Sequence, residues 1–286
     1  MSAMSGAFDW LAVGDIAEER TPGHPPILGG AAARLTAHAA ALGASTALIA
    51  KLGEDDAGRR IRHALTRLKV DLQWLRSEPG MRTTIWEEPD GTPRRRRIER
   101  GADLALRLDE LPPRSVGAAL TVASGYSLSM EPARSAVLGA LTAAGTRGGR
   151  SALLLEAELL WWTNARMTRR VLEPALAVTH NVALHAGDAR ILFGRVAPRQ
   201  AMRLLGELGP RLVYLTQDDG SVLVREGGRM HAYPAVSAGS PAPDRFAGPA
   251  AFWVGLANRL PAQKAAADSL RYAHSVRHAR PPITRL

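Results

Sequence analysis

The chain has 286 residues, of which 46% are hydrophobic and 22% are charged, and this suits a large α/β domain with a buried core. It contains no cysteine, which excludes disulfides and thiolate metal sites, and no apolar run approaches the roughly 18 residues of a membrane span. The net charge is +10, and all but three of the 37 Lys and Arg residues are arginine. Their even spread favours the codon bias of a GC-rich genome over an anionic partner such as nucleic acid.

Hydrophobic periodicity predicts strands that alternate with helices, which is typical of parallel βαβ units. The predicted strands are 8–14, 46–53, 119–123, 151–156, 177–180 and 211–216, followed by an antiparallel edge hairpin at 221–225 and 230–233. The predicted helices are 31–42, 56–69, 252–260 and 268–277.

One segment interrupts this alternation. Residues 83–100 contain two short strand-like runs that flank Pro89-Asp90-Gly91-Thr92, a turn signal, and they predict a hairpin that projects from the main sheet. The arginine run at 94–97 is interpreted as the solvated face of the hairpin, with anion binding as the alternative.

Five short motifs occur in an order and spacing that resemble the ribokinase-type (PfkB) carbohydrate kinases. They are Gly29-Gly30 before an alanine-rich helix, Gly53-x-Asp55-x-x-Gly58, the hairpin, Gly101-Ala102 and Ser124-Gly125-Tyr126. The resemblance implies a ribokinase-like three-layer α/β/α domain over residues 1–286, with a central, mostly parallel sheet and a lid hairpin at about 83–100.

The phosphoryl-transfer signature of that family, D-T-T-G-A-G-D-A-F, corresponds here to DRFAGPAAF, which starts at Asp244. The resemblance places Ala250 at the position of the catalytic base and Ala247, Gly248 and Pro249 at the anion hole. Proline has no N–H to donate. Asp244 is a candidate for an ion-binding residue or for a cap of the next helix.

The substrate cleft implied by the resemblance contains Gly29, Gly30 and Arg34, where Arg34 occupies the position of a sugar-binding asparagine. The acidic residue that holds the sugar hydroxyls falls at Asp15, Glu18 or Glu19, and Glu19 is the plausible equivalent.

The family's N-x-x-E motif, whose carboxylate organises magnesium through water, is aligned with Asn181 to Leu184, which leaves Leu184 at the acidic position and no metal site. Leucine offers no oxygen ligand to magnesium. Retained nucleotide contacts are expected at Asn181, Thr216, Gly220 and Gly248, although Asp218 and Asp219 beside them are expected to repel a triphosphate.

These replacements predict a catalytically degenerate homologue that acts as a non-catalytic binding or scaffolding subunit and needs no cofactor. The first alternative is an active ATP- and magnesium-dependent carbohydrate or nucleoside kinase whose catalytic groups have been relocated, with Asp244, Glu156 or Asp188 as the base. The second is a basic module that senses a ligand or associates with nucleic acid.

A protein partner or a larger complex is expected. The lid hairpin could also pair two copies of the chain in a homodimer. Nucleic acid is the secondary candidate partner. The first residues show no basic stretch followed by an apolar one, so a cytoplasmic location is expected.

Overall fold

The computed structural model describes residues 8–87, 97–113, 117–146, 149–156, 165–236, 244–277 and 285–286. The predicted hairpin turn, with Arg94 to Arg96, lies outside the described residues. The strands are β1 Phe8–Val13, β2 Ala17–Arg20, β3 Ile27–Gly29, β4 Thr46–Gly53, β5 Leu75–Glu78, β6 Thr84–Glu87, β7 Arg97–Glu99, β8 Ala118–Ser124, β9 Arg150–Leu154, β10 Asn181–His185, β11 Leu212–Thr216, β12 Val222–Glu226 and β13 Arg229–Tyr233. The helices are α1 Ala31–Ala41, α2 Asp56–Arg67, α3 Ala133–Thr146, α4 Ala165–Ala177, α5 Ala186–Phe193, α6 Pro198–Glu207, α7 Ala247–Ala257 and α8 Ala262–Arg277.

The central sheet has the strand order β13-β12-β11-β10-β9-β8-β1-β4-β5. In this order, neighbouring strands pair in parallel from β11 across to β5. At the other end, β12 and β13 add an antiparallel edge. Because parallel strands connected by helices all end at the same edge, the loops that follow β1, β8, β9, β10 and β11 meet there.

Helices cover both faces of this sheet. One hydrophobic cluster joins the sheet to α1, α2, α7 and α8, and a second joins its other face to α3, α4, α5 and α6. The alanine-rich α1 is buried along most of its length, which matches its low polarity. The predicted three-layer α/β/α fold is therefore confirmed.

A second sheet carries the lid. Strands β6 and β7 pair antiparallel, with Trp86 opposite Ile98, as predicted for the hairpin. The sheet has four strands in the order β3-β2-β6-β7, and the sequence patterns did not predict β2 and β3. These two strands are only four and three residues long, too short for an alternating pattern to emerge.

The strand predicted at 177–180 is wrong, and its error shifts a functional motif. Helix α4 runs to Ala177 through Pro174, and the strand is β10, which begins at Asn181. The β-branched pair Val178-Thr179 suggested a strand, but the Thr179 hydroxyl donates back to the Ala175 carbonyl at 2.6 Å and extends the helix end.

Among the described residues, no helix combines the length and the apolar character needed to cross a membrane.

Candidate active site

The substrate side of the site lies where β1, β2 and β3 meet the start of α1. Gly30 has φ +81°, and a Cβ there would lie 2.7 Å from the Asp15 carbonyl oxygen, so only glycine fits. The Asp15 carboxylate accepts hydrogen bonds from the N–H groups of Ala31 and Ala32 at 2.5 and 3.2 Å. Asp15 therefore caps α1 and is not the residue that reaches into the cleft.

The two other acidic candidates are separated by strand alternation in β2. Glu18 turns toward the lid, where Arg20 and Arg60 donate to its carboxylate. Glu19 projects from the opposite face and accepts from Arg34 at 3.1 Å. Glu19 is therefore the acidic residue of the cleft, and Gly29 lies beside it, since a Cβ on Gly29 would contact the Glu19 Cβ at 3.3 Å.

Arg34 links the N-terminal part of the chain to the segment that enters α7. Its guanidinium donates to Glu19 and, at 2.5 Å, to the Asp244 carboxylate, and it stacks 4.4 Å from the centre of the Phe246 ring. The ring nitrogen of His38 lies 3.4 Å from the same Asp244 oxygen. Arg34 thus brings a positive charge to the position of the family's neutral asparagine, held between two carboxylates.

This network decides the role of Asp244. Burial alone would raise the pKa of the Asp244 carboxyl, but the charge of Arg34 and the hydrogen bond with His38 outweigh it and hold the pKa well below the usual range. Asp244 also accepts from the Phe246 N–H at 2.9 Å, just before α7. An ionised carboxylate with these partners serves as an anchor for Arg34 and for the α7 entry, and it is a weak proton acceptor.

A further buried carboxylate lies near the middle of the edge at which the parallel strands of the central sheet end. Glu156 follows β9 by two residues, is 1% exposed, and its N–H lies beside Gly125 at the end of β8. Glu156 stands between the substrate side at β1 and the phosphate side at β10 and β11, because β8 and β9 lie between those strands.

The phosphate side corrects the alignment of the N-x-x-E motif. Asn181 is the first residue of β10, at the far edge of the sheet, and its amide donates to the Ser151 carbonyl at 3.2 Å. Leu184 lies within the strand and packs in the hydrophobic core. The junction of β10 and α5 instead carries His185-x-x-Asp188, and the buried Asp188 carboxylate accepts from the His185 N–H at 2.8 Å.

An acidic residue therefore lies in the first turn after β10, and Leu184 does not occupy that position. Asp188 was not assigned to this motif, because the strand before it was predicted at 177–180, four residues before β10 begins. The signal that could have located it is the acidic residue in the first turn of α5, a helix that ends at Gly194 with φ +74°.

The start of α7 forms the wall opposite Asp188. A cavity of about 10 Å³ lies between them and is lined by Asp188, His185, Thr216, Arg245 and Pro249, among others. A Cβ on Gly248 would lie 2.9 Å from the Tyr214 hydroxyl, so glycine is required at this close approach. The sequence reasoning missed Arg245, which also lines this cavity.

Ala247 and Ala250 are fully buried and belong to the core on this face of the sheet. The methyl group of Ala250 is packed among apolar neighbours, so the catalytic base implied by the resemblance has no counterpart at this position.

The nucleotide-side loop is a tight turn after β11. Gly220 has φ +79° and donates to the Gln217 carbonyl at 3.0 Å. The charge of Asp218 is paired with Arg190 at 2.8 Å, and this hydrogen bond lowers the pKa of the Asp218 carboxyl. The repulsion that the sequence suggested is therefore reduced, although Asp219 has no arginine partner among the described residues.

A buried acid next to the cleft makes stability depend on pH. Burial, reinforced by the negative charge of Asp15, raises the pKa of Asp103 to about 8. The folded protein then keeps a proton that the unfolded chain releases near pH 4, so this contribution is complete below pH 4 and is lost as pH rises toward 8.

Between pH 5 and 8 the free energy of unfolding of the wild type should fall with pH, partly because Asp103 loses its proton. In Asp103→Asn this slope should be smaller by about 1.4 kcal/mol per pH unit, because the amide cannot titrate. Urea unfolding at several pH values measures it, and the exposed Asp109→Asn is the matched control. The slope that remains is assigned to Asp15, whose pKa burial also raises. An unchanged slope in Asp103→Asn would contradict the assignment.

A three-layer fold with a lid sheet and a phosphate-side cavity at the strand ends defines a ribokinase-like protein. A sequence profile of the pfkB family carbohydrate kinases matches residues 26–276. The chain therefore belongs to the PfkB family.

Individual relatives agree with this assignment. A fructokinase of Klebsiella pneumoniae is 30% identical over 212 residues, which cover 72% of this chain and 69% of the relative. Aminoimidazole riboside kinase from Salmonella enterica, complexed with aminoimidazole riboside and an ATP analog, superimposes with a TM-score of 0.80 at 20% identity over 96% of both chains. Fructokinase from Vibrio cholerae O395 with bound fructose, ADP and calcium ion gives a TM-score of 0.79 at 22% identity over 94% of this chain and 91% of that one.

The expectation of a catalytically degenerate scaffolding subunit is wrong, because the relatives that this chain matches over most of its length are sugar and nucleoside kinases. The expectation treated residues 181–184 as the metal motif and each replaced side chain as a loss. The structure instead shows other buried carboxylates along the same edge, Glu156 and Asp188.

Proposed function

We propose that the protein is an ATP-dependent kinase of a small carbohydrate, with fructose as the first substrate to test. The observation that carries the proposal is the 30% identity to a fructokinase over 72% of the chain. The arrangement of the edge supports it, since acidic and basic side chains lie on a substrate side and a phosphate side of one cleft.

The substrate side would bind and orient the sugar. Glu19 offers carboxylate oxygens to hydroxyl groups of the sugar. Arg34, which is hydrogen-bonded to Glu19, would supply donors beside it while it stays anchored by Asp244. The lid sheet, which includes β2, would exclude water from this side.

The phosphate side fits a magnesium–nucleotide complex. Magnesium is usually held by one or two carboxylates together with substrate phosphates, and Asp188 provides one buried carboxylate. Among the described residues no cluster of three or more His, Asp or Glu could hold a metal by itself, so the ion would arrive with the nucleotide. When bound, it neutralises charge on the β- and γ-phosphates.

Glu156 is the proposed proton acceptor. Asp244 is held ionised by Arg34, and Asp188 caps α5 on the phosphate side, so neither carboxylate is well suited to accept the hydroxyl proton. Glu156 lies between the two sides and is shielded from water. A carboxylate there could take the proton as the hydroxyl oxygen attacks phosphorus.

The test is a coupled assay of ADP release with MgATP and a panel of fructose, ribose, fructose 6-phosphate and nucleosides. Turnover of a ketohexose is the expected result, and mass spectrometry should identify the phosphorylated product. ATP hydrolysis without a phosphorylated product, or no turnover with any member at millimolar concentration, would overturn the proposal. Asp188→Asn should raise the magnesium concentration needed for half-maximal activity.

A further inference from the structure

The first turn of α7 is short of donors for an anion. The Phe246 N–H donates to the Asp244 carboxylate at 2.9 Å, and the Ala247 N–H donates to the Asp244 carbonyl at 3.1 Å. Pro249 has no N–H at all. Within the described residues, Gly248 is left as the one residue of this turn with an uncommitted backbone donor.

The cavity in front of this turn is the size of one oxygen atom. Its volume is about 10 Å³, close to the lower limit for a single water molecule. It lies between Asp188 on α5 and Pro249 on α7, and Arg245 reaches the same cavity from the segment that enters α7. Arg245 therefore lines the same cavity as Pro249, the residue that lacks a backbone donor.

The charges around the cavity suit a phosphoryl oxygen. Asp188 is the acid on one wall, and its carboxylate is engaged with the His185 N–H. Arg245 offers a planar set of N–H donors that matches phosphate geometry and keeps its charge at every physiological pH. A charged donor gives shorter and stronger hydrogen bonds to an anion than a neutral amide does.

We propose that Arg245 is a catalytic residue that replaces the missing Pro249 N–H and stabilises the transferred phosphoryl group. This inference rests on the proposed kinase function. In the step, the substrate hydroxyl oxygen forms a bond to the γ-phosphorus, and its proton passes to the Glu156 carboxylate. The bond from the γ-phosphorus to the bridging oxygen breaks with its electron pair remaining on the nucleoside diphosphate. Arg245 donates to a non-bridging oxygen throughout.

The experiment is a mutant cycle with Arg245→Gln, Pro249→Ala and the double variant. Arg245→Gln is expected to lower kcat by roughly 10²–10³-fold, the usual effect of losing an anion-hole donor, with little change in KM for the sugar. Pro249→Ala restores an N–H at this turn and supplies the second single variant of the cycle. In the double variant, the restored amide should recover at least about tenfold of the loss.

A matched control is Arg203→Gln on the exposed face of α6, which removes one positive charge far from the cavity and should leave kcat unchanged. Thermal unfolding of each variant checks that the fold is intact. A kcat for Arg245→Gln equal to wild type, or a double variant no faster than Arg245→Gln, overturns the proposal.

A binding measurement separates this proposal from the proposed function. Calorimetry with ADP, magnesium, fluoroaluminate and fructose reports affinity for a mimic of the transferred phosphoryl group. Arg245→Gln should weaken that affinity at least tenfold and leave the affinity for ADP alone unchanged. If wild type turns over and Arg245→Gln is unimpaired, only the role of Arg245 fails. If no sugar is phosphorylated, the proposed function fails, and equal affinity of both proteins for the mimic would also overturn the role of Arg245.

Discussion

Replacing Glu156 by glutamine is expected to lower kcat for sugar phosphorylation by about 10²–10⁴-fold, the usual contribution of a general base. The amide keeps the size of the side chain but cannot accept the hydroxyl proton. Because Glu156 is placed near the reacting hydroxyl and not at the nucleotide, KM for ATP should change little. Steady-state kinetics over pH 5.5–9 measures the effect.

Two controls make this test specific. Glu207→Gln on α6 removes an exposed carboxylate outside the cleft and should retain wild-type kcat. Asp244→Asn removes the acidic residue of the family signature and is expected to affect stability and KM for the sugar more than kcat, through Arg34. Suppose kcat falls in Asp244→Asn as expected for removal of the general base, and does not fall in Glu156→Gln. The base is then Asp244, and the assignment of Glu156 is wrong.

Replacing Arg34 by methionine is expected to destabilise the protein by about 3–5 kcal/mol, because Glu19 and Asp244 would remain buried without their shared cation. Urea unfolding at pH 7 measures the loss. The depressed pKa of Asp244 makes its contribution to stability present above about pH 4 and lost as pH falls through the folded pKa. In Arg34→Met the folded pKa of Asp244 should lie closer to the unfolded value, so this acid loss should be smaller.

The double variant Arg34→Met/Asp244→Asn shows whether the penalty comes from the stranded charge. It should be more stable than Arg34→Met alone, since an amide next to the introduced methionine is less costly to bury than a carboxylate. Arg59→Met is the surface control, because its ion pair with Asp56 is largely exposed and should contribute less than about 1 kcal/mol. A loss for Arg34→Met no larger than for Arg59→Met would contradict the bridging role.

Some features of the site could be predicted from local patterns. The alanine-rich run after Gly30 predicted the helix α1, because a continuous apolar surface is a local property. The helix predicted at 252–260 overlaps α7, which begins five residues earlier, at Ala247. Both depend on neighbours within one turn of the chain.

Other features failed for an identifiable reason. Val178 and Thr179 have strand propensity, but the strand begins only at Asn181. Its start is decided by the pairing of β10 with β9 and β11. That four-residue shift moved the predicted metal motif from Asp188 to Leu184. Short-range propensity is a weak term, and tertiary contacts override it easily.

The sequence by itself determined the family, the order of layers and the replacement of the usual base by Ala250, since these follow from motif order and residue identity. Only the tertiary structure decided which side chains could serve instead. Arg34 meets Asp244 across 210 positions of the chain. Arg245 and Asp188 meet across a cavity formed by strands that are distant in sequence. Such contacts depend on where parallel strands end together, and no local pattern of residues specifies them.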